Sequence, residues 1–126
     1  MNGQLTKSFN ISEFQSKDGA TMPPDVAKNI QELAKNLQVL RDYLQLPIKI
    51  TSGWRSPAHN AKTKGAAKNS QHIYGKAADI QVPGKSPIEV KKAIETLIDA
   101  GKMKQGGIGL YTNWVHYDTR STKARW

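Results

Sequence analysis

"SQHIYGKAADI", residues 70–80, sets a histidine and an aspartate around what reads as a tight turn entering a buried strand. Ser70 and His72 come first, Gly75 follows, and Ala77 and Ala78 lead into Asp79 and Ile80. An acid immediately before an apolar strand, one turn after a histidine, invites the reading that His72 and Asp79 face each other and hold something between them. That reading needs a third ligand from elsewhere. "NWVHYD", residues 113–118, offers it. Side chains alternate along a strand, so Trp114, His116 and Asp118 share one face while Val115 and Tyr117 take the other. Two histidines and one aspartate make three ligands, and an open fourth position is the mark of a catalytic zinc site. The same pieces also suit a capped structural turn and a core histidine, and spacing alone does not choose. His59, the remaining histidine, follows "RSPA" in a basic loop and is expected at the surface.

Outward from these two segments the chain alternates helices and strands. Pro24 and Asp25 open a helix, where a missing N–H is harmless and a carboxylate meets the helix dipole. Val26, Ile30, Leu33, Leu37 and Leu40 recur at spacings of three and four, and Leu44 extends the stripe. "PIKITS" alternates as a strand after Pro47, and "AADIQV" is a second. "GWRSPAHNAKTKGAAKNS" between them is a basic loop with room for a short helix around Pro57 to Lys62. Ser86, Pro87 and Glu89 sign the start of a second long helix by a capping box. Val90, Ile94, Leu97 and Ile98 form its core face and Gly101 ends it. "GGIGLYTNWVHYDTR" reads as two strands around a turn at Thr112 and Asn113. Near the start, "NISEF" suggests a short capped turn at Ser12. The expected architecture is α+β, with helices packed on a small antiparallel sheet.

With 126 residues, the chain is expected to form one domain spanning 1–126. It contains no cysteine, so thiolate metal sites and thiol catalysis are excluded. The formal net charge of +9 favours polyanions: nucleic acid, anionic lipid or the polymers of a bacterial wall. No apolar run approaches the roughly 18 to 20 residues that cross a bilayer. "MNGQLTKSFN" lacks the apolar stretch of a signal peptide.

"SGWRS" at 52–56, "SQHIYGKAAD" at 70–79 and "WVHYDTR" at 114–120 together resemble the LAS-type zinc peptidases. That group includes D-Ala-D-Ala carboxypeptidases and dipeptidases, peptidoglycan endopeptidases and related phage endolysins. Its pattern, SxHxxGxAxD followed by a late strand histidine, is met by Ser70, His72, Gly75, Ala77, Asp79 and His116. "FNISEF" at 9–14 is similar to the opening of its short single-domain members.

The resemblance implies the LAS fold and one Zn2+ held by His72, Asp79 and His116, polarising a scissile carbonyl. Arg55 then corresponds to the arginine that steadies the oxyanion or the substrate. Ser70, Trp54 and Gln71 are expected to contact substrate, although Ser70 equally suits a turn cap. Many members carry an acid three residues before the last zinc histidine, as general base. Here that position is Asn113, which accepts no proton. Asp118 is expected to take its place, and its position also suits a partner that orients His116.

The implied activity is zinc-dependent hydrolysis of peptidoglycan stem peptides, as a D-Ala-D-Ala carboxypeptidase or a cross-link endopeptidase. Such an enzyme acts at the bacterial wall, as a periplasmic or extracytoplasmic protein or a phage-encoded one. A wall-peptide binding module of the same fold is the alternative that Asn113 supports. Nucleic acid is not an expected partner, because the basic loop at 55–68 lacks stacking aromatics or a recognition helix. A monomer is expected.

Overall fold

The computed structural model describes residues 3–126; of the expected unit 1–126, Met1 and Asn2 lie outside the described residues. The chain runs from a 3-10 turn (Ile11–Phe14) into helix α1 (Pro24–Leu44), strand β1 (Lys49–Ser52) and short helix α2 (Pro57–Lys62). A second 3-10 turn (Gln71–Tyr74), β2 (Ala77–Gln81), α3 (Pro87–Asp99), β3 (Gly107–Leu110), β4 (Val115–Asp118) and β5 (Ala124–Arg125) follow.

Both long helices begin where their sequence signals place them. Pro24 and Asp25 stand in the first turn of α1, and Ser86 and Glu89 close a reciprocal capping box on α3. The apolar stripes are buried: Ile30, Leu33, Leu37 and Leu40 on α1, and Val90, Ile94 and Leu97 on α3. At the first 3-10 turn the cap is Asn10, which accepts from the Ser12 N–H while Glu13 answers to the Asn10 N–H. The short turn expected at Ser12 therefore exists, with its cap two residues earlier.

The five strands lie in the order β1-β2-β4-β3-β5. Their pairs are antiparallel except the last, where β5 runs parallel to β3. The sheet is thus mixed, antiparallel as expected except at this edge. The chain leaves Asp118 through residues 119–123 and crosses past β3 before pairing, so β5 enters in the direction of β3.

Register decides what the sheet presents. Ala78 stands opposite Tyr117 and Ile80 opposite Val115, and all four are buried in the core with α1 and α3. The alternate positions face away from the helices. Asp79 stands directly opposite His116, and His116 in turn opposite Gly109. The helix-covered face of the sheet stabilises the fold, and its reverse face carries the ionisable groups.

Candidate metal centre

His72 lies in the turn just before β2, and its position follows from local chain geometry. Ser70 caps that turn by accepting from the His72 N–H at 3.2 Å. Gly75 ends it at φ 73, a left-handed conformation suited to glycine. A side chain there would also press on Val26, with a Cβ 2.8 Å from both its Cγ1 and its carbonyl oxygen. The reversal brings His72 over the start of β2 and toward Asp79. His72 Nε2 stands 3.3 Å from Asp79 Oδ1, and His116 Nδ1 stands 3.2 Å from the same oxygen. All three residues are buried, and the two imidazoles meet edge to face at 5.2 Å.

The second nitrogen of each ring fixes its tautomer. His72 Nδ1 is 2.7 Å from the Gly53 carbonyl oxygen, which can only accept, so Nδ1 carries the proton and Nε2 keeps its lone pair. His116 Nε2 is 2.6 Å from Asp118 Oδ2, a carboxylate that accepts the Nε2–H and leaves the lone pair on Nδ1. Two lone pairs and an anionic oxygen therefore converge. Such a cluster repels itself unless a cation sits among its members. Tetrahedral bonds of about 2.0–2.1 Å to zinc place neighbouring donor atoms about 3.3 Å apart, which matches the spacing of each histidine nitrogen from Asp79 Oδ1. Two imidazole nitrogens and one carboxylate oxygen, without sulfur, are a donor set that suits Zn2+. Burial alone would raise the Asp79 pKa, but positive charge at this point, supplied by protonated His116 and His72 where no cation is bound, outweighs it and holds the carboxylate well below the usual range.

Arg55 completes the near side of the group. Its Nη2 reaches Asp79 Oδ2 at 3.4 Å, its Nε reaches Ser52 Oγ at 3.2 Å and its Nη1 reaches Asn60 Oδ1 at 3.3 Å. It lines a cleft together with His72, Asp79, His116 and the 63–67 segment. Burial lowers the guanidinium pKa, and Asp79 opposes the shift.

Asp118 lies on the far side of the His116 ring from this cleft. Its Oδ1 accepts from the Gly107 N–H at 2.8 Å and from Arg120 Nε at 2.9 Å, while Oδ2 accepts from Arg120 Nη2 at 2.8 Å as well as from His116. Burial would raise its pKa, but His116, Arg120 and the Gly107 N–H lower it far more. A carboxylate so held is a poor proton acceptor and does not face the cleft. Its position matches the other role its place in the sequence suits, a partner that orients His116, more closely than that of a base beside the attacking water. Asn113 does not face the cleft either: it borders a separate hollow beside Lys49, Val82 and Lys85.

The expected substrate contacts also move. Trp54 is 3% exposed, belongs to the core and donates from Nε1 to the Ile73 carbonyl at 3.0 Å. It braces the segment carrying the Gly53 carbonyl and has no face to offer a substrate. Ser70 and Gln71 lie outside the residues lining the cleft, and Ser70 is engaged as the turn cap. His59 sits in α2, apart from the three-residue group. Tyr111 and Trp126, which line the cleft, carry no motif that spacing could reveal.

With this geometry in place, the sequence comparisons are specific. A family model described as peptidase M15 matches residues 5–118. The chain belongs to the peptidase M15 family. It is similar to a probable peptidoglycan L,D-endopeptidase MepK from Haemophilus influenzae, 35% identical over 97 residues that cover 72% of this chain and 49% of that protein. It is likewise similar to the peptidoglycan L,D-endopeptidase MepK of Escherichia coli, 37% identical over 79 residues, covering 58% of this chain and 40% of the relative. The M15 chain thus spans about half the length or less of these curated relatives. The family match includes all three members of the His72, Asp79 and His116 group, and it is in keeping with the LAS fold.

Proposed function

We propose that the chain, working as one unit over 1–126, is a zinc-dependent peptidase that cuts the peptide cross-links of bacterial peptidoglycan. The observation that carries the reading is the convergence of His72 Nε2, His116 Nδ1 and an Asp79 oxygen on one point of an open cleft, each histidine held in the tautomer that frees the inward nitrogen. The L,D-endopeptidase names of the two relatives favour an internal cross-link over a terminal alanine as the bond cut. The net charge of +9 suits approach to an anionic wall.

When bound, Zn2+ would supply Lewis-acid polarisation of the scissile carbonyl and activation of water. The chain's own residues orient the ligands and stabilise developing charge. Gly53 and Asp118 hold the two imidazoles in orientation, as hydrogen-bond partners behind a metal's ligands do. Asp79 brings the negative charge that offsets the cation. Arg55 still has N–H groups beyond its bonds to Ser52, Asn60 and Asp79, and these stabilise charge developing on the carbonyl oxygen. Asp118 and Arg120 stay behind His116 and handle no proton of the reaction.

The test is digestion of purified cross-linked muropeptides by the zinc-loaded chain, with products identified by mass. Conversion of cross-linked dimers to monomers is expected. Loss of a single terminal alanine would instead make it a carboxypeptidase. Intact substrate after incubation with fully loaded protein would overturn the peptidase reading.

A further inference from the structure

Arg55 is the one arginine lining the cleft among the described residues, and part of its donor set is already engaged. Tyr111 offers a further donor. Its hydroxyl lies 2.8 Å from Trp126 Nε1. An indole N–H can only donate, so the phenol oxygen accepts and the phenol's own proton is left over. No bond from that proton to another protein group is found among the described residues. Tyr111 is part of the cleft wall that also includes Arg55, His72, Asp79 and His116.

The ring that carries the hydroxyl is held on both sides. It stacks on Trp114 with centroids 4.6 Å apart and planes 10° from parallel. The Tyr111 N–H bonds the Trp114 carbonyl at 3.1 Å, which closes the turn between β3 and β4. Trp126 is fixed in its turn: its backbone pairs with Ile108 and Leu110, and its ring lies 4.9 Å from that of His116. Gly109 makes room for that ring, since a Cβ there would come within 2.5 Å of Nε1. Two partly exposed aromatics, 38% and 46% accessible, are thus held beside a buried ligand group by contacts that fix the phenol ring. Aromatic residues serving only to fill a core would not need this.

We infer that Tyr111 is a second hydrogen-bond donor to the reacting peptide carbonyl, opposite Arg55 in the cleft. The inference rests on the peptidase reading above for its substrate. As water adds to the carbonyl carbon, the oxygen gains charge, and a donor already in position lowers the barrier without reorganisation. The phenol keeps its proton throughout and donates only a hydrogen bond.

Tyr111→Phe keeps the stack on Trp114 and removes only the hydroxyl. In the zinc-loaded full chain it should leave the zinc content and the Tm unchanged. The expected reading is a fall in kcat on cross-linked muropeptide of about ten- to a hundredfold with little change in KM. A readout independent of turnover is the affinity of a phosphinate pseudopeptide of the wall cross-link bond, whose anionic tetrahedral oxygen needs the same donor. Calorimetry should find it bound about ten- to a hundredfold more weakly by the variant. Equal phosphinate affinity in the two proteins, or no phosphinate binding by either, overturns the role of Tyr111. Hydroxyl-dependent phosphinate binding by a wild type that leaves muropeptides intact would overturn the peptidase reading and keep the donor.

Discussion

His72 and His116 bring lone pairs to one oxygen of Asp79 from supports of different kinds. His72 stands on a four-residue turn, and its outer nitrogen donates to a neutral backbone carbonyl of Gly53. His116 stands in the middle of a sheet, paired with β2 on one side and β3 on the other, and its outer nitrogen donates to a buried carboxylate. The carboxylate is itself locked by both arms of Arg120 and the Gly107 N–H. The consequence is a difference in the nitrogen presented, Nε2 from the turn and Nδ1 from the strand. A second consequence is electrostatic: an anionic partner makes His116 the more basic ligand, whereas the Gly53 carbonyl orients His72 with little added charge. Burial would lower the His116 pKa, but its bonds to Asp118 and Asp79 outweigh it and the net shift is upward.

The most severe way to break this pairing is to remove a ligand. The purified protein should carry about one zinc, and either His72→Ala or His116→Ala should abolish tight binding, since three protein ligands are the ordinary complement of a catalytic site. Metal analysis after dialysis checks this. Undiminished zinc in the double replacement would show that the metal is held elsewhere.

Asp118→Asn separates the two supports at less expense to the fold. The amide oxygen can still accept from His116, but the charge is gone and Arg120 loses its ionic partner. Zinc affinity should fall by about ten- to a hundredfold, as for other partners behind metal ligands. Turnover of the fully loaded variant should change little. A base at this position would give the opposite pattern, unchanged affinity and a loss of about a hundredfold or more in kcat. Zinc dissociation constant and kcat measured on one preparation distinguish them.

On the turn side, the corresponding change is Gly53→Ala. The added Cβ would lie 2.6 Å from Phe14 Cα and 2.9 Å from its carbonyl oxygen, both backbone atoms, so the segment must shift and take the Gly53 carbonyl off His72. Overpacking of this sort destabilises by about 1–3 kcal/mol. The effect on zinc should be about tenfold, at the lower end for an outer partner, because a neutral acceptor is lost. Wild-type Tm together with wild-type zinc affinity would remove Gly53 from the support of His72.

The sequence shows the two supports unequally. Period-two alternation places His116 and Asp118 on one face, and the structure agrees. Alternation does not say which ring nitrogen meets the carboxylate, and that choice separates a partner behind the ring from a base in front of it. The Gly53 carbonyl is a backbone atom and has no side-chain signature. Trp54, next to Arg55, looks like a substrate contact because aromatic residues often line clefts, yet a side chain that large is drawn into the core once β1 ends. Helices α1 and α3 are legible because their apolar stripes are long and their starts are marked by proline and capping residues. Strand β5 is not, since two residues, Ala124 and Arg125, are too few to show a period. With it went the sheet's one parallel pair and the placement of Trp126.

The smallest effect concerns what anchors the turn side from below. Asp18, in the loop before α1, accepts from Ser56 Oγ at 2.5 Å, from Ser16 Oγ at 2.7 Å and from the Ala20 N–H at 3.1 Å. Ser56 is the cap of α2 and follows Arg55 directly, so these bonds tie down the segment that carries Gly53 and Arg55. The bonds from Ser56 and Ser16, with that from Ala20, lower the Asp18 pKa from its ordinary 3.8 to about 2. A carboxylate whose folded pKa is depressed adds stability above its unfolded pKa and loses it as the pH falls through the folded value. Asp18→Asn should therefore lower the Tm slightly at neutral pH, and the gap to wild type should narrow below pH 3.8 and close near pH 2. Following both proteins by circular dichroism from pH 7 to pH 2 measures the gap directly. A difference that does not change with pH would mean that the charge of Asp18 contributes nothing, and that the loop is held by hydrogen-bond geometry that the amide reproduces.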